Sequence, residues 1–285
     1  MMWPMTLTRL SVFLLLAASG ALADAEFQAT TPPQAGPGAC PAAVEAFRAA
    51  QFERAAELSR SCIQQGKQDS ETYKLLALSS YMLRRVDDYR ENLEKALALN
   101  PNDGDAHYHL GRFHFERKEY RNALERFRNS VALDAENFKA YYYSGLCRQG
   151  NNEEGAQEDF RKAIEIIERK RINYGWPFSA LGEMFTMQGD FDRGLSWHYR
   201  ATRNDPTLPY THFSYASALL KKEANFEVEQ ELQRAVKLDP GYTEAYYLLG
   251  RYYTKIGDKE RAGQAFSKFE ELRKNPVPSP FGLRR

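Results

Sequence analysis

Five histidines, three cysteines and an ample stock of carboxylates are the groups through which this chain of 285 residues could do chemistry. His107, His109 and His114 lie close enough in sequence to suggest zinc. Two ligands on one helical face stand four residues apart, however, whereas His107 and His114 are seven apart, about 10.5 Å along a helix. That spacing argues against a metal site. The sequence has no G-x-S-x-G, phosphate loop, dinucleotide glycine fingerprint, H-E-x-x-H or C-x-x-C. Runs such as Glu153-Glu154 and Glu270-Glu271 have the form of solvated helix faces. An enzyme would have to gather its residues from distant segments. The expectation is therefore no catalytic residue, no metal and no cofactor.

The histidines take their meaning from the elements that carry them. From Thr243 to Leu272 the chain reads as two amphipathic helices joined at Gly257. Tyr246, Leu249, Gly250 and Tyr253 line one face of the first, and Ala262, Phe266 and Phe269 form the stripe of the second. A lone pair of this size cannot bury both faces, so it needs copies beside it. The copies are present. Small residues recur as Ala43, Ala77, Gly111, Gly145, Gly182, Ala216 and Gly250, with steps of 34 except for one of 37 after Gly145. A parallel column runs Ala55, Tyr89, Ala123, Ala156, Gly194, Val228, Ala262. Four residues later come Ser59, Leu93, Phe127, Phe160, His198, Leu232 and Phe266. Asn100-Pro101, Asp205-Pro206 and Asp239-Pro240 should end three second helices, because proline cannot continue them. All five histidines fall into this frame as packing positions: His107 and His212 share the column of Tyr73, Tyr141 and Tyr246, and His198 that of Phe127.

With this period the chain resembles the tetratricopeptide repeat (TPR) family over residues 39–275, with repeats near 39–69, 70–103, 104–137, 138–172, 175–208, 209–242 and 243–275. The resemblance implies an all-α fold, an α-solenoid right-handed superhelix of about seven helix-turn-helix repeats. In that family the first helix of each repeat lines a concave groove that holds a peptide or a partner's helix. The implied partner-binding residues are Lys74, Tyr81, Tyr108, Arg112, Phe115, Tyr142, Phe213, Tyr247 and Arg251. Tyr108, Tyr142, Phe213 and Tyr247 share one repeat position and are expected to form an aromatic ladder, the alternative being packing against adjacent helices. The family's basic clamp for a C-terminal carboxylate is not matched, since Leu78 stands where asparagine is expected.

Outside the repeats, residues 1–23 carry one charge, Arg9, then an apolar run to Ala18 and the small pair Ala21 and Ala23. This is the order of a cleaved signal peptide, and the run falls short of the roughly 20 residues that span a bilayer. An exported chain, periplasmic or extracellular, is expected. Without Arg9 it holds 38 basic and 38 acidic residues, so nothing draws it toward nucleic acid or anionic membrane. Residues 24–38 read as a Pro/Gly-rich tether and 276–285 as a tail. Export allows a disulfide between Cys40 and Cys62, whose helix ends meet in a hairpin, in the outermost repeat that most needs a staple. The alternative is two small buried residues. Cys147 reads as a buried thiol.

The irregular step suggests that the first helix of the fourth repeat is short, ending at Gln149-Gly150-Asn151-Asn152, and that the second runs on through 164–173. Either its end is solvated, or Arg169, Lys170, Arg171, Tyr174 and Trp176 form an exposed contact site. Two functional readings follow. The first is a non-catalytic scaffold for a protein or peptide partner. The alternative is self-assembly through the last repeat, which has no evident polar capping helix, and its tail.

Overall fold

A computed structural model describes residues 40–222 and 226–276. The expected leader and tether, and the tail beyond Pro276, lie outside the described residues. Among the described residues there are fourteen α-helices and no strand, and no helix is long and apolar enough to cross a membrane. They are α1 Pro41–Arg48, α2 Phe52–Gln64, α3 Ser70–Met82, α4 Val86–Leu99, α5 Gly104–Glu116, α6 Tyr120–Leu133, α7 Phe138–Asn151, α8 Ala156–Lys170, α9 Trp176–Met187, α10 Phe191–Asn204, α11 Pro209–Lys222, α12 Phe226–Leu238, α13 Thr243–Lys255 and α14 Lys259–Lys274. They divide into two compact units, with the boundary in the chain between residues 156 and 157. The N-terminal unit holds α1 to α7, and the C-terminal unit α8 to α14.

Helix ends follow from local chemistry. Side chains of Asp69, Asp103, Asn137, Asp190 and Asp258 accept a hydrogen bond from backbone N–H groups of the first turn of α3, α5, α7, α10 and α14. Such caps satisfy donors that the helix itself leaves open, each worth about 1 kcal/mol. α4, α10 and α12 stop at Leu99, Asn204 and Leu238, just before the expected Asx-Pro pairs. His107 and His212 lie against these turns, their Nε2 atoms 3.0 and 2.9 Å from the carbonyls of Pro101 and Pro206. Among the described residues, the turn inside a pair takes a left-handed residue. Gly189 and Gly257 supply it with φ of 83°, but Ala50, Arg84 and Lys118 adopt φ of 56 to 61° without being glycine.

Helices within a pair meet through a size rule. A Cβ on Gly111 would stand 2.7 Å from the ring of Phe127, one on Gly250 2.6 Å from Phe266, and one on Gly182 2.9 Å from His198. Where the small residue is alanine, at 77 and 216, the paired column carries the smaller Leu93 and Leu232, both fully buried. Next in line, Ala96, Ser130, Ala163, Ala201 and Ala235 are each fully buried. In the last pair the same position is Phe269, whose ring lies 5.3 Å from Tyr247.

Within each unit, first helices of neighbouring pairs touch: α1 with α3, α5 with α7, α9 with α11, and α11 with α13. Second helices are bridged by long charged side chains, Arg60 to Asp88 at 3.7 Å, Arg200 to Glu168 at 2.5 Å and Arg261 to Glu229 at 2.8 Å. The first helices are thus the closely spaced side of each stack. Cys40 and Cys62 are joined by a disulfide that ties the N-cap of α1 to α2. Cys147 is a buried thiol.

The expected short helix in the fourth repeat is corrected by the structure. α7 ends at Asn151, inside the expected stretch, but it is not short: it runs for 14 residues, and Gly150 in its last turn lets the ring of Tyr120 pack where a Cβ would come within 2.6 Å. Nor does α8 run through 173. It ends at Lys170, and the chain continues to Gly175 without helix. Asn204 holds this connection, donating to the carbonyl of Ile172 at 3.1 Å and accepting from the N–H of Tyr174 at 2.8 Å.

Candidate functional site

The first-helix faces of the two units differ in what they leave open. In the N-terminal unit, Lys74 is 7% exposed and its ammonium lies 2.9 Å from Asp103, 3.2 Å from Glu71 and 3.7 Å from Asp105. Burial is the largest influence on Lys74 and pulls its pKa down, but Asp105, Asp103 and Glu71 together outweigh it and raise it. Asp103 responds in the opposite sense. Burial pushes its pKa up, and the hydrogen bond and charge of Lys74 with two backbone N–H groups bring it below the usual value. The lysine therefore steadies the residue that caps α5.

One repeat on, Arg112 is 4% exposed. Its guanidinium donates to Glu116 at 3.1 Å and to the Tyr108 hydroxyl at 3.4 Å, and lies 4.9 Å over the ring of Tyr143. Tyr108 packs on Phe127 and Tyr143, and Phe115 sets its edge 5.1 Å from Tyr143. Tyr142 is 2% exposed beside Tyr143. Tyr81 is half-buried and its hydroxyl donates to Glu116 at 3.4 Å. Tyr108, Arg112, Phe115 and Tyr142 thus stand in the core, the packing arrangement set against the ladder in the sequence reading. Rings of this size on a closely spaced face bury one another.

The C-terminal unit is different. Trp176 and Tyr174 are buried, so neither belongs to an exposed contact site as the sequence suggested. The indole stacks on Tyr210 at 4.5 Å, and the row continues through Phe213 at 6.4 Å to Tyr242 at 5.1 Å. Tyr210, which stands 34 residues later at the same repeat position, covers the indole of Trp176. Phe213 is half-buried. Tyr247 is 44% exposed, its inner edge held by Phe266 and Phe269. Arg251 is exposed and has no ion pair among the described residues. On the same side, Lys221 lies 3.8 Å from Glu183 and the Lys255 ammonium donates to the carbonyl of Leu220 at 3.3 Å. Sequence reasoning missed Tyr210, Lys221 and Lys255, although the 34-residue steps from Trp176 to Tyr210 and from Lys221 to Lys255 were there to be found.

The histidines occupy packing positions. His212 is buried between Glu231, at 2.6 Å, and the carbonyl of Pro206. His114 lies 2.6 Å from Glu119. Burial depresses His109 to about 4 against the pull of Asp105. Burial, reinforced by the charge of Lys221, depresses His198 to about 3. Neither ring nitrogen of His198 has a hydrogen-bond partner, and Glu183 is 3.9 Å away. No group of three or more potential metal ligands comes together among the described residues.

Residues 74–124 and 231–264 match family profiles described as the tetratricopeptide repeat. The chain is 20% identical over 212 residues to anaphase-promoting complex subunit 3 of Schizosaccharomyces pombe, a match covering 74% of this chain and 31% of that protein. It thus spans about a third of that relative. Among solved structures, the Cut9-Hcn1 hetero-tetramer superposes with a TM-score of 0.66 at 12% identity, over 94% of this chain and 52% of that one. PilW, a type IV pilus biogenesis factor, superposes with a TM-score of 0.62 at 16% identity, over 74% and 96%. The fold is an all-α array of tetratricopeptide-type helix pairs.

Proposed function

We propose that this chain is an exported, non-catalytic scaffold that holds a protein or peptide partner on the first-helix face of its C-terminal unit. The observation that carries the reading is Tyr247 beside Arg251. An aromatic ring fixed from behind by Phe266 and Phe269, next to an unpaired guanidinium, is the kind of rigid anchor on which interfaces depend. The fold supports it, because helix-pair arrays present extended surfaces built from one repeated position. A structural neighbour occurs in a hetero-tetramer. Export and removal of residues 1–23 rest on the leader alone. The N-terminal unit, with Lys74 and Arg112 already paired, acts as a structural support.

Self-assembly by continuation of the stack is the weaker reading. Five of the six earlier pairs seat their neighbour over a small, fully buried residue, whereas Phe269 fills that seat in the last pair. The test is a photo-crosslinking residue at position 247 or at 108 in exported protein. A heterologous adduct from 247 and none from 108 is expected. Adducts only between copies of this chain, or none from 247, would overturn the proposal.

A further inference from the structure

We infer that the first-helix face of the C-terminal unit recognises an extended acidic segment, seating an apolar side chain on Tyr247 and carboxylates on Arg251 and Lys255. The inference rests on the reading of this face as the binding surface and adds the chemistry of what binds there. Arg251 and Lys255 follow Tyr247 at intervals of four residues along α13, so ring, guanidinium and ammonium share one side of the helix. All three are exposed. Arg251 has no ionic partner, and the contact of Lys255 is to a neutral carbonyl, which leaves its charge uncompensated. That same contact draws the Lys255 ammonium to the last turn of α11, beside Lys221. Two carboxylates stand against these three cations: Glu183, which Lys221 engages, and Glu244, three residues before Tyr247.

The N-terminal unit shows the opposite balance. Its cations Lys74 and Arg112 are buried, while the Asp105 side chain is 50% exposed and Glu116 27%. At one repeat position the units thus differ in sign, with Glu116 in the N-terminal unit and Lys221 and Lys255 in the C-terminal unit. Arg251 and Lys255 are separated by about 6 Å of helix rise. Neighbouring first helices lie about 10 Å apart. An extended chain advances about 3.3 Å per residue, so carboxylates two or three residues apart would reach successive cations.

A fluorescein-labelled peptide with glutamate at every third position and leucine between tests this by anisotropy with the full chain, alongside glutamine and lysine counterparts. The glutamate peptide should bind best and weaken as salt rises. Arg251→Glu and Lys255→Glu should each weaken it about tenfold without changing the thermal melt, and Asp105→Lys should leave it unchanged. Equal binding of the glutamate and glutamine peptides, both lost in Tyr247→Ala, would overturn the acidic specificity and leave the face as a binding surface. Binding indifferent to both Tyr247→Ala and Arg251→Glu would overturn both readings. Failure of the glutamate peptide to bind would overturn the inference.

Discussion

Replacing His198 by phenylalanine should stabilise the C-terminal unit, and the gain should grow as pH falls. His198 is wholly buried under Gly182, where Gly111 and Gly250 in other pairs receive Phe127 and Phe266, so the cavity accepts a six-membered ring. The fold accepts only the neutral imidazole, because burial and then the charge of Lys221 lower its pKa to about 3 from 6.5. The facing carboxylate, Glu183, is 3.9 Å away and within 3.8 Å of Lys221. Since the folded pKa is depressed, the unfolded chain takes up the proton first. Stability is complete above the unfolded value and is lost as pH falls from about 6.5 toward about 3. One pKa unit corresponds to about 1.4 kcal/mol, so at about pH 4.5 the histidine costs about 2.7 kcal/mol relative to neutral pH. Phenylalanine removes this loss, and with it two buried nitrogens that lack hydrogen-bond partners. Urea unfolding of both proteins at about pH 7 and about pH 4.5 isolates the residue, because every other titrating group is common to both. A difference in stability that stays constant between the two pH values would refute the assignment of a neutral, desolvated imidazole.

Further outcomes follow from the same structure. Gly250→Ala should cost about 1 to 3 kcal/mol by driving a methyl into Phe266, and combining it with Phe266→Leu should recover part of that loss in a double-mutant cycle, as the Ala216 and Leu232 columns foretell. Lys74→Ala should destabilise by about 3 kcal/mol, since it leaves Asp103 buried without its ammonium. It should leave partner titrations unchanged. Cys62→Ala should lower stability by about 3 kcal/mol in the entropy model, measured against the oxidised parent. Reaction of all three cysteines with an alkylating reagent in unreduced, denatured protein from an oxidising compartment would contradict the Cys40–Cys62 bond. Mass spectrometry of exported protein should find Asp24 as the first residue, and a chain still starting at Met1 would defeat that expectation.

Much of the fold was legible because its rule is periodic. Small residues opposite large ones at a fixed step announce helix pairs, and the Asx-Pro endings of α4, α10 and α12 stood where proline forbids a helix. The turns were less readable. Arg84 and Lys118 take left-handed backbone that sequence assigns to glycine, because the packed pair imposes the conformation on whichever residue stands there. The fourth repeat misled for a related reason. The helix ends where it was read to, at Asn151, but Gly150 in its last turn serves the ring of Tyr120 and does not cut the helix short.

The site was harder to read because a repeat position fixes where a side chain starts and says nothing of what meets it. Tyr108 and Tyr247 hold the same position, but one is 4% exposed and the other 44%. The neighbours decide. Tyr108 meets Tyr143 and Phe127, whereas Tyr247 belongs to the last pair, where Phe269 supports it from one side only. For the cations a local signal did exist. Arg112 has Glu116 four residues on and closes on it; Arg251 has Lys255 at that distance, so no carboxylate one turn further on can draw it in. Whether Arg112 or Arg251 pairs within its own helix is therefore written in the residue one turn away. Placing that carboxylate by Lys255→Glu should pull Arg251 into an intramolecular pair and weaken acidic peptides more than loss of the lysine charge in Lys255→Gln does. Equal effects of the two substitutions would show that Arg251 is not governed by its neighbour.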